Sequence, residues 1–327
     1  MDNDFFPGYT GGDLDPQARQ FLTAIAAAGL PPLSKLTPAL ARERNIVKAF
    51  SFKPVHVSSV RNILIDGPFG EIPLRIYTPE GSGPFPVLMY LHGGGWVVGK
   101  LDDYDAVCTI LTRDSGHVVI SLDYQLSPEA HFPVALEEGY ATLEWVADNY
   151  NLIEADPLHI AVGGDSAGAN MAAVLAMMAR DRKGPAIRFQ LLICPATNLS
   201  DTGTGSYHQF GSGFWVPEEL MQWYINHYLE NKEHVTHPYV SPLLAEDLTG
   251  LPPAFLVIAE FDILKDEAES YGKRLRDAGV RVEVKTYPGQ IHDFVIFGKV
   301  MAKAGEALED CCRALQERGT QDVRRRT

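Results

Sequence analysis

Gly164-Asp165-Ser166-Ala167-Gly168 places a serine between two glycines, with one residue on either side. A serine hydroxyl is a weak nucleophile until a neighbouring base takes its proton. By itself the Gly-x-Ser-x-Gly spacing says little, so its surroundings decide. The short apolar stretch His159–Val162 precedes it, and a helical pattern, Ala167–Arg182, follows. Strand, sharp turn and helix are what a nucleophile elbow needs. The glycines leave room for the turn, and the helix start aims backbone N–H groups at developing negative charge.

His92-Gly93-Gly94-Gly95-Trp96 follows the apolar run Pro86–Leu91. Glycine lets the backbone come close to a substrate. The N–H groups of Gly94, Gly95 and Ala167 are the candidate donors to the oxyanion of a tetrahedral intermediate. A nucleotide loop is the competing use of three glycines. No Lys-Ser/Thr follows them, and the spacing is not Gly-x-Gly-x-x-Gly.

The elbow's expected chain order is serine, then acid, then histidine. His208, His227, His234, His237 and His292 follow Ser166, and only His292 lies beyond the last expected strand, in a loop reading Tyr287–His292. The acid is expected after the preceding strand, in Glu260-Phe261-Asp262-Ile263-Leu264-Lys265-Asp266. Asp262 is preferred there, with Glu260 as the alternative and Asp266 as a capping or first-turn residue of the next helix. The sequence does not say whether Glu129 supports the site or is a surface carboxylate.

The elements that must hold these residues alternate. Strands are expected at Val55–Leu64, Ile72–Tyr77, Pro86–Leu91, Val118–Asp123, Ile160–Val162, Ile187–Cys194, Ala254–Ala259 and Val280–Thr286. Several are continuous apolar runs, as in strands covered on both faces. Helices are expected at Asp15–Ala28, Thr37–Ala49, Tyr104–Asp114, Val134–Asn149, Ala167–Arg182, Asp266–Ala278 and Ala302–Arg318. The alternation predicts an α/β fold: a mostly parallel central sheet of about eight strands flanked by helices, with the first two strands as an antiparallel edge. Residues 199–250 interrupt it, first rich in Gly, Ser and Thr, then aromatic, with a helix starting at Pro217–Glu219. So long a connection suggests a lid. The expected division is 1–50 and 199–250 as a helical cap, over a catalytic domain of 51–198 and 251–327.

The 327 residues carry a net charge of −14, and 46% are hydrophobic. That balance supports a sizeable core and argues against disorder and against a general nucleic-acid or anionic-membrane binder. The one basic run, Arg324–Arg326, reads as a solvated tail. No apolar run is long enough to span a membrane, and Met1–Asp4 opens nothing like a secretory signal. Cys108, Cys194, Cys311 and Cys312 form no Cys-x-x-Cys pair, so a reducing, cytoplasmic setting is expected. His227, His234 and His237 cluster without zinc spacing. No metal or cofactor is expected.

Together the motifs resemble those of hormone-sensitive-lipase-like serine esterases of the α/β-hydrolase superfamily. The likeness is to the Gly-Asp-Ser-Ala-Gly subgroup, close to acetyl esterases and arylacetamide deacetylase, and it covers nearly the whole chain. It rests on His92–Trp96, Asp123–Glu129, Gly164–Asn170, Asp262–Glu267 and His292-Asp293-Phe294. The resemblance implies Ser166 as nucleophile, Asp262 as orienting acid, His292 as general base, and Gly94, Gly95 and Ala167 as oxyanion donors. It also implies short-to-medium acyl esters as substrates.

The chain departs from the family's usual residues at Gln125, Ser127, Ile263 and Asp293, where Arg, Ala, Pro and Gly are commoner. Glycine takes positive φ more readily than aspartate, so Asp293 is where loop geometry is expected to differ. Phe214, Trp215 and Trp223 are candidates to line the pocket. An amidase or peptidase on the same scaffold, and a non-catalytic small-molecule receptor, are the alternatives. The last helix and the strand before it offer an edge for a homodimer.

Overall fold

Val87–Leu91 is buried at every position, and so is Val118–Leu122. Strands without an alternating polar face must be covered on both sides. The computed structural model, which describes residues 13–44 and 46–319, shows how. Arg324–Arg326 and Met1–Asp4 lie outside the described residues. Eight strands form one sheet: β1 (Ser59–Gly67), β2 (Gly70–Thr78), β3 (Phe85–Leu91), β4 (Val118–Leu122), β5 (Ala155–Asp165), β6 (Ile187–Ile193), β7 (Ala254–Phe261) and β8 (Val282–Ile291). Their order is β1-β2-β4-β3-β5-β6-β7-β8. β1 and β2 form the antiparallel edge, β2 runs antiparallel to β4, and all other neighbours are parallel.

The helices α1 (Pro16–Ala27), α2 (Pro38–Glu43), α3 (Val47–Phe50), α4 (Leu101–Ser115), α5 (Val134–Asp148), α6 (Ala167–Asp181), α7 (Gly205–Phe210), α8 (Glu218–Tyr228), α9 (Lys265–Asp277) and α10 (Lys303–Gly319) fill the connections. α4 packs on α10 and α5 on α6, each pair against the sheet. Start signals act as expected: Asp15 accepts from the Gln17 N–H at 2.8 Å with Pro16 at the first position, and Gly29 follows the end at φ 62°.

Four expectations need correction. Thr37–Ala49 is not one helix but α2 and α3, with Arg44 leaving helical geometry at ψ 33°. The first strand begins at Ser59, because the chain at Val55 is held by the Thr109 hydroxyl of α4 instead of a neighbouring strand. The Gly/Ser/Thr-rich stretch hides α7, whose Thr204 cap accepts from the Tyr207 N–H at 3.4 Å. Finally, Tyr287–Ile291 is not loop but the end of β8. β8 is an edge strand, where proline costs no ladder bond. Its register slips against β7 between Ala259 and Phe261, and Gly289 stands there at φ 73°.

Candidate active site

Ser166 sits between the end of β5 and the first residue of α6 at φ 51°, ψ −117°, a conformation few non-glycine residues hold. Its N–H donates to Ile193 O at 2.8 Å. The flanking glycines have no substitute. A Cβ on Gly164 would stand 2.2 Å from Leu91 O, and one on Gly168 would stand 2.0 Å from the same oxygen. The elbow is therefore pressed onto the end of β3, where the glycine loop begins.

Three segments converge on this serine. His292, the residue after β8, places Nε2 2.9 Å from Ser166 Oγ. Its Nδ1 lies 2.6 Å from Oδ2 of Asp262, the residue after β7. The other oxygen of Asp262 accepts from the Leu264 N–H at 2.9 Å. Asp262 and His292 are both buried. The bulged end of β8 supplies the turn that brings His292 over the elbow. The Glu260 carboxylate accepts from the Gly289 N–H at 2.8 Å and fixes the bulge. Asp266 lies in the first turn of α9 and accepts from the Ser206 N–H of α7 at 2.8 Å. Ser206 in turn donates to Ile263 O at 2.6 Å, so α7 braces the acid loop.

The glycine loop lies across the same cavity. Gly94 and Gly95 have φ of 111° and 59° and line it with Ser166 and His292. Ala167 opens α6 directly after the serine. His92 is buried, stacked on Tyr124 at 4.4 Å, with Nδ1 2.7 Å from Gly93 O. Burial pushes its pKa down to about 4, so near neutrality it is uncharged and its Nδ1–H donates to that carbonyl. Ser127 N–H donates to Trp96 O at 2.8 Å and joins the Asp123–Glu129 segment to the loop. Glu129 is a solvent-exposed carboxylate; it pairs at 2.6 Å with Arg42 of α2, which also donates to Val97 O and Ser127 O.

Asp165 and Glu267 are among the buried carboxylates that no sequence motif assigned. Asp165 accepts from Tyr90 and Tyr104 hydroxyls at 2.8 and 3.0 Å and from the Gly93 N–H at 3.1 Å. Burial, with Asp293 nearby, pushes its pKa up to about 8. Glu267 of α9 accepts from the Thr197 and Asn198 N–H groups at 2.6 and 3.0 Å. Asp293 takes φ 54°, so the left-handed turn a glycine would give is made by an aspartate.

The cavity measures about 410 Å³, with an apolar lining from α1, α2, α8 and the segment before α8. Phe214 and Trp215 line it, but Trp223 does not: its ring packs on His227 at 4.4 Å. The histidine cluster makes local contacts, with His227 Nδ1 2.8 Å from Trp223 O and His237 accepting from the Tyr239 N–H at 3.0 Å. Among the described residues, the set close enough to share an ion is Cys194, Asp262 and His292. Two of those are the hydrogen-bonded pair above, and burial holds the Cys194 thiol far above its ordinary pKa.

A parallel-centred sheet with a strained serine at a strand–helix elbow, and an acid and a histidine at the ends of the last two strands, defines an α/β hydrolase. A family model described as alpha/beta hydrolase fold matches residues 88–296. Carboxylic ester hydrolase LipN of Mycobacterium tuberculosis is 39% identical over 87% of this chain and 78% of its own length. Ethyl acetate hydrolase of Pseudomonas putida is 35% identical over 75% of this chain and 78% of its own. The hyperthermophilic esterase of Pyrobaculum calidifontis superposes with a TM-score of 0.89 at 38% identity, covering 93% of this chain and 98% of that one. The chain belongs to the α/β-hydrolase family, among its hormone-sensitive-lipase-like serine esterases.

Proposed function

We propose that this carboxylic ester hydrolase works through Ser166 as nucleophile, His292 as general base and Asp262 as the acid that orients the imidazole. The carrying observation is the continuous path from Asp262 through His292 to Ser166, at 2.6 and 2.9 Å, opening on an apolar cavity. Ser166 Oγ attacks the ester carbonyl carbon as Nε2 takes its proton. The carbonyl electrons move to oxygen, and the oxyanion is held by the N–H groups of Gly94, Gly95 and Ala167. Each such donor is worth ~3–4 kcal/mol of transition-state stabilisation. The intermediate collapses, and the His292 imidazolium protonates the leaving alcohol. Water repeats the steps on the acyl-enzyme and returns the serine.

The cavity's size and lining support short-to-medium acyl esters. An ethyl acetate hydrolase among the relatives supports the short end. Residues 1–50 and 199–250 act as the cap over a catalytic domain of 51–198 and 251–327; the cavity draws on both. Four unpaired cysteines suit a reducing, cytoplasmic setting. No helix among the described residues is long and apolar enough to cross a membrane. The outermost strand β8, with α10 beside it in the chain, is the surface for a homodimer.

The test is hydrolysis of p-nitrophenyl esters from acetate to palmitate by wild type and Ser166→Ala. Loss of the nucleophile costs ~10⁶ in kcat. Fluorophosphonate labelling of wild type and not of the variant is expected. Equal activity in the two would overturn the assignment.

A further inference from the structure

The His292 imidazole has a carboxylate on each side. Asp262 meets Nδ1 at 2.6 Å, and Asp293 Oδ2 lies 3.2 Å from Nε2, the nitrogen that also meets Ser166 Oγ at 2.9 Å. A serine–histidine–acid relay uses only the first. Asp293 is 5% exposed, yet it lines the cavity that holds Ser166. Its other oxygen, Oδ1, is buried with no hydrogen-bond partner among the described residues. Asp165, by contrast, has three donors on its two oxygens. Asp293 instead has the His292 imidazole beside one oxygen and no hydrogen-bond partner among the described residues on the other.

We propose that Asp293 is a positioning residue that competes with Ser166 for His292 Nε2, holding the imidazolium in the resting enzyme and moving the acid limb of hydrolysis to higher pH. The proposal rests on His292 being the general base.

A base must present a lone pair at Nε2. An imidazolium donates there instead, and a carboxylate is a stronger acceptor than a hydroxyl. An opposite charge at this range favours the charged ring by about 1–3 pK units. Burial alone disfavours the imidazolium, but Asp262 and Asp293 outweigh it and hold the His292 pKa well above its ordinary value. Burial raises the Asp293 pKa on balance, and the charge of His292 opposes that rise.

The other groups facing the pair come from four elements. Asp165 at the end of β5 adds repulsion, which is weakened because burial, with Asp293 nearby, pushes its own pKa up. Tyr104 of α4, Tyr224 of α8 and Cys194 after β6 feel Asp293 and stay neutral, since burial raises all three. The Arg44 guanidinium acts on Tyr224. Relief of the clamp comes from raising the pH or from removing the second carboxylate.

The experiment is the pH profile of kcat/KM on p-nitrophenyl acetate for wild type, Asp293→Asn, Asp293→Gly and His292→Gln. Asn and Gly both accept the left-handed backbone at this position. In both Asp293 variants the acid limb should fall by about one unit or more, raising activity near pH 6 roughly tenfold relative to the plateau. A limb at the same pH, or higher, in both variants overturns the proposal. Inactive His292→Gln keeps the general-base reading whatever Asp293 does, whereas an active one overturns both.

Discussion

The ring of Tyr224 in α8 occupies the space that a side chain at Gly95 would need: a Cβ there would stand 2.2 Å from the ring's nearest atom. The aromatic segment over the pocket and the glycine loop are thus fitted to each other. Gly95 also holds φ 59°, so any substitution adds backbone strain. Gly95→Ala must shift the ring or the loop that carries the proposed oxyanion donors. Its kcat/KM should fall by about 10²-fold or more, the usual effect of losing one such donor. The circular dichroism spectrum should stay that of the wild type. Steady-state kinetics decide it, and undiminished activity would show that the added methyl is accommodated without displacing the proposed donors.

Asp262 accepts from Leu264 N–H and meets His292, so its two oxygens have separate duties. Asp262→Asn keeps the shape, but its amide nitrogen favours the wrong imidazole tautomer. By the example of serine proteases, kcat should fall by ~10⁴. The rate of fluorophosphonate labelling at Ser166 should fall with it, while the melting temperature changes little. Labelling at the wild-type rate would return Glu260 to consideration as the orienting acid.

Much of the site was legible because each proposed catalytic side chain sits at a strand end, and strands announce themselves as apolar runs. Ser166, Asp262 and His292 follow β5, β7 and β8 in the expected order. What was not legible depends on distant neighbours. Pro288 and Gly289 read locally as a loop; as part of an edge strand they form a bulge, fixed by Glu260 and by Asp15 N–H donating to Gly289 O at 3.0 Å. α7 has little local propensity and is held by Asp266 and Ile263, some 60 residues away. The burial of Asp165, Glu267 and Asp293 comes from packing between segments, which no local pattern encodes.

Trp215 and Trp223 lie eight residues apart in one aromatic stretch but do different things. Trp215 lines the cavity and meets Phe21 and Phe297 at ring distances of 5.4 and 5.1 Å. Trp223 packs outside it on His227. Trp215→Ala should lengthen the preferred acyl chain. A pocket methylene is worth about 1–3 kcal/mol, so octanoate should gain on acetate by roughly tenfold or more in kcat/KM. Trp223→Ala should leave the ratio as it is. Competition between p-nitrophenyl acetate and octanoate measures both, and equal shifts in the two variants would sink the distinction.

Glu267 links α9 to the chain just after β6 through two N–H groups, and burial pushes its pKa up to about 8 despite those bonds. Unfolded, it would titrate near 4.5. Between those values the native state holds a proton that the unfolded chain releases, so stability is fully present below about pH 4 and is lost as pH rises through about 8. Asp165, raised from 3.8 to about 8, acts in the same direction. Glu267→Gln keeps an oxygen to accept from Thr197 and Asn198 and removes one titration. The melting temperature of Glu267→Gln relative to wild type should therefore climb as pH goes from 5 to 9, by ~2–4 °C for each kcal/mol of linkage removed. Thermal melts at matched ionic strength read this directly. A variant-minus-wild-type difference that stays flat across the range would mean that Glu267 remains ionised in the folded protein, its charge held by the two backbone donors.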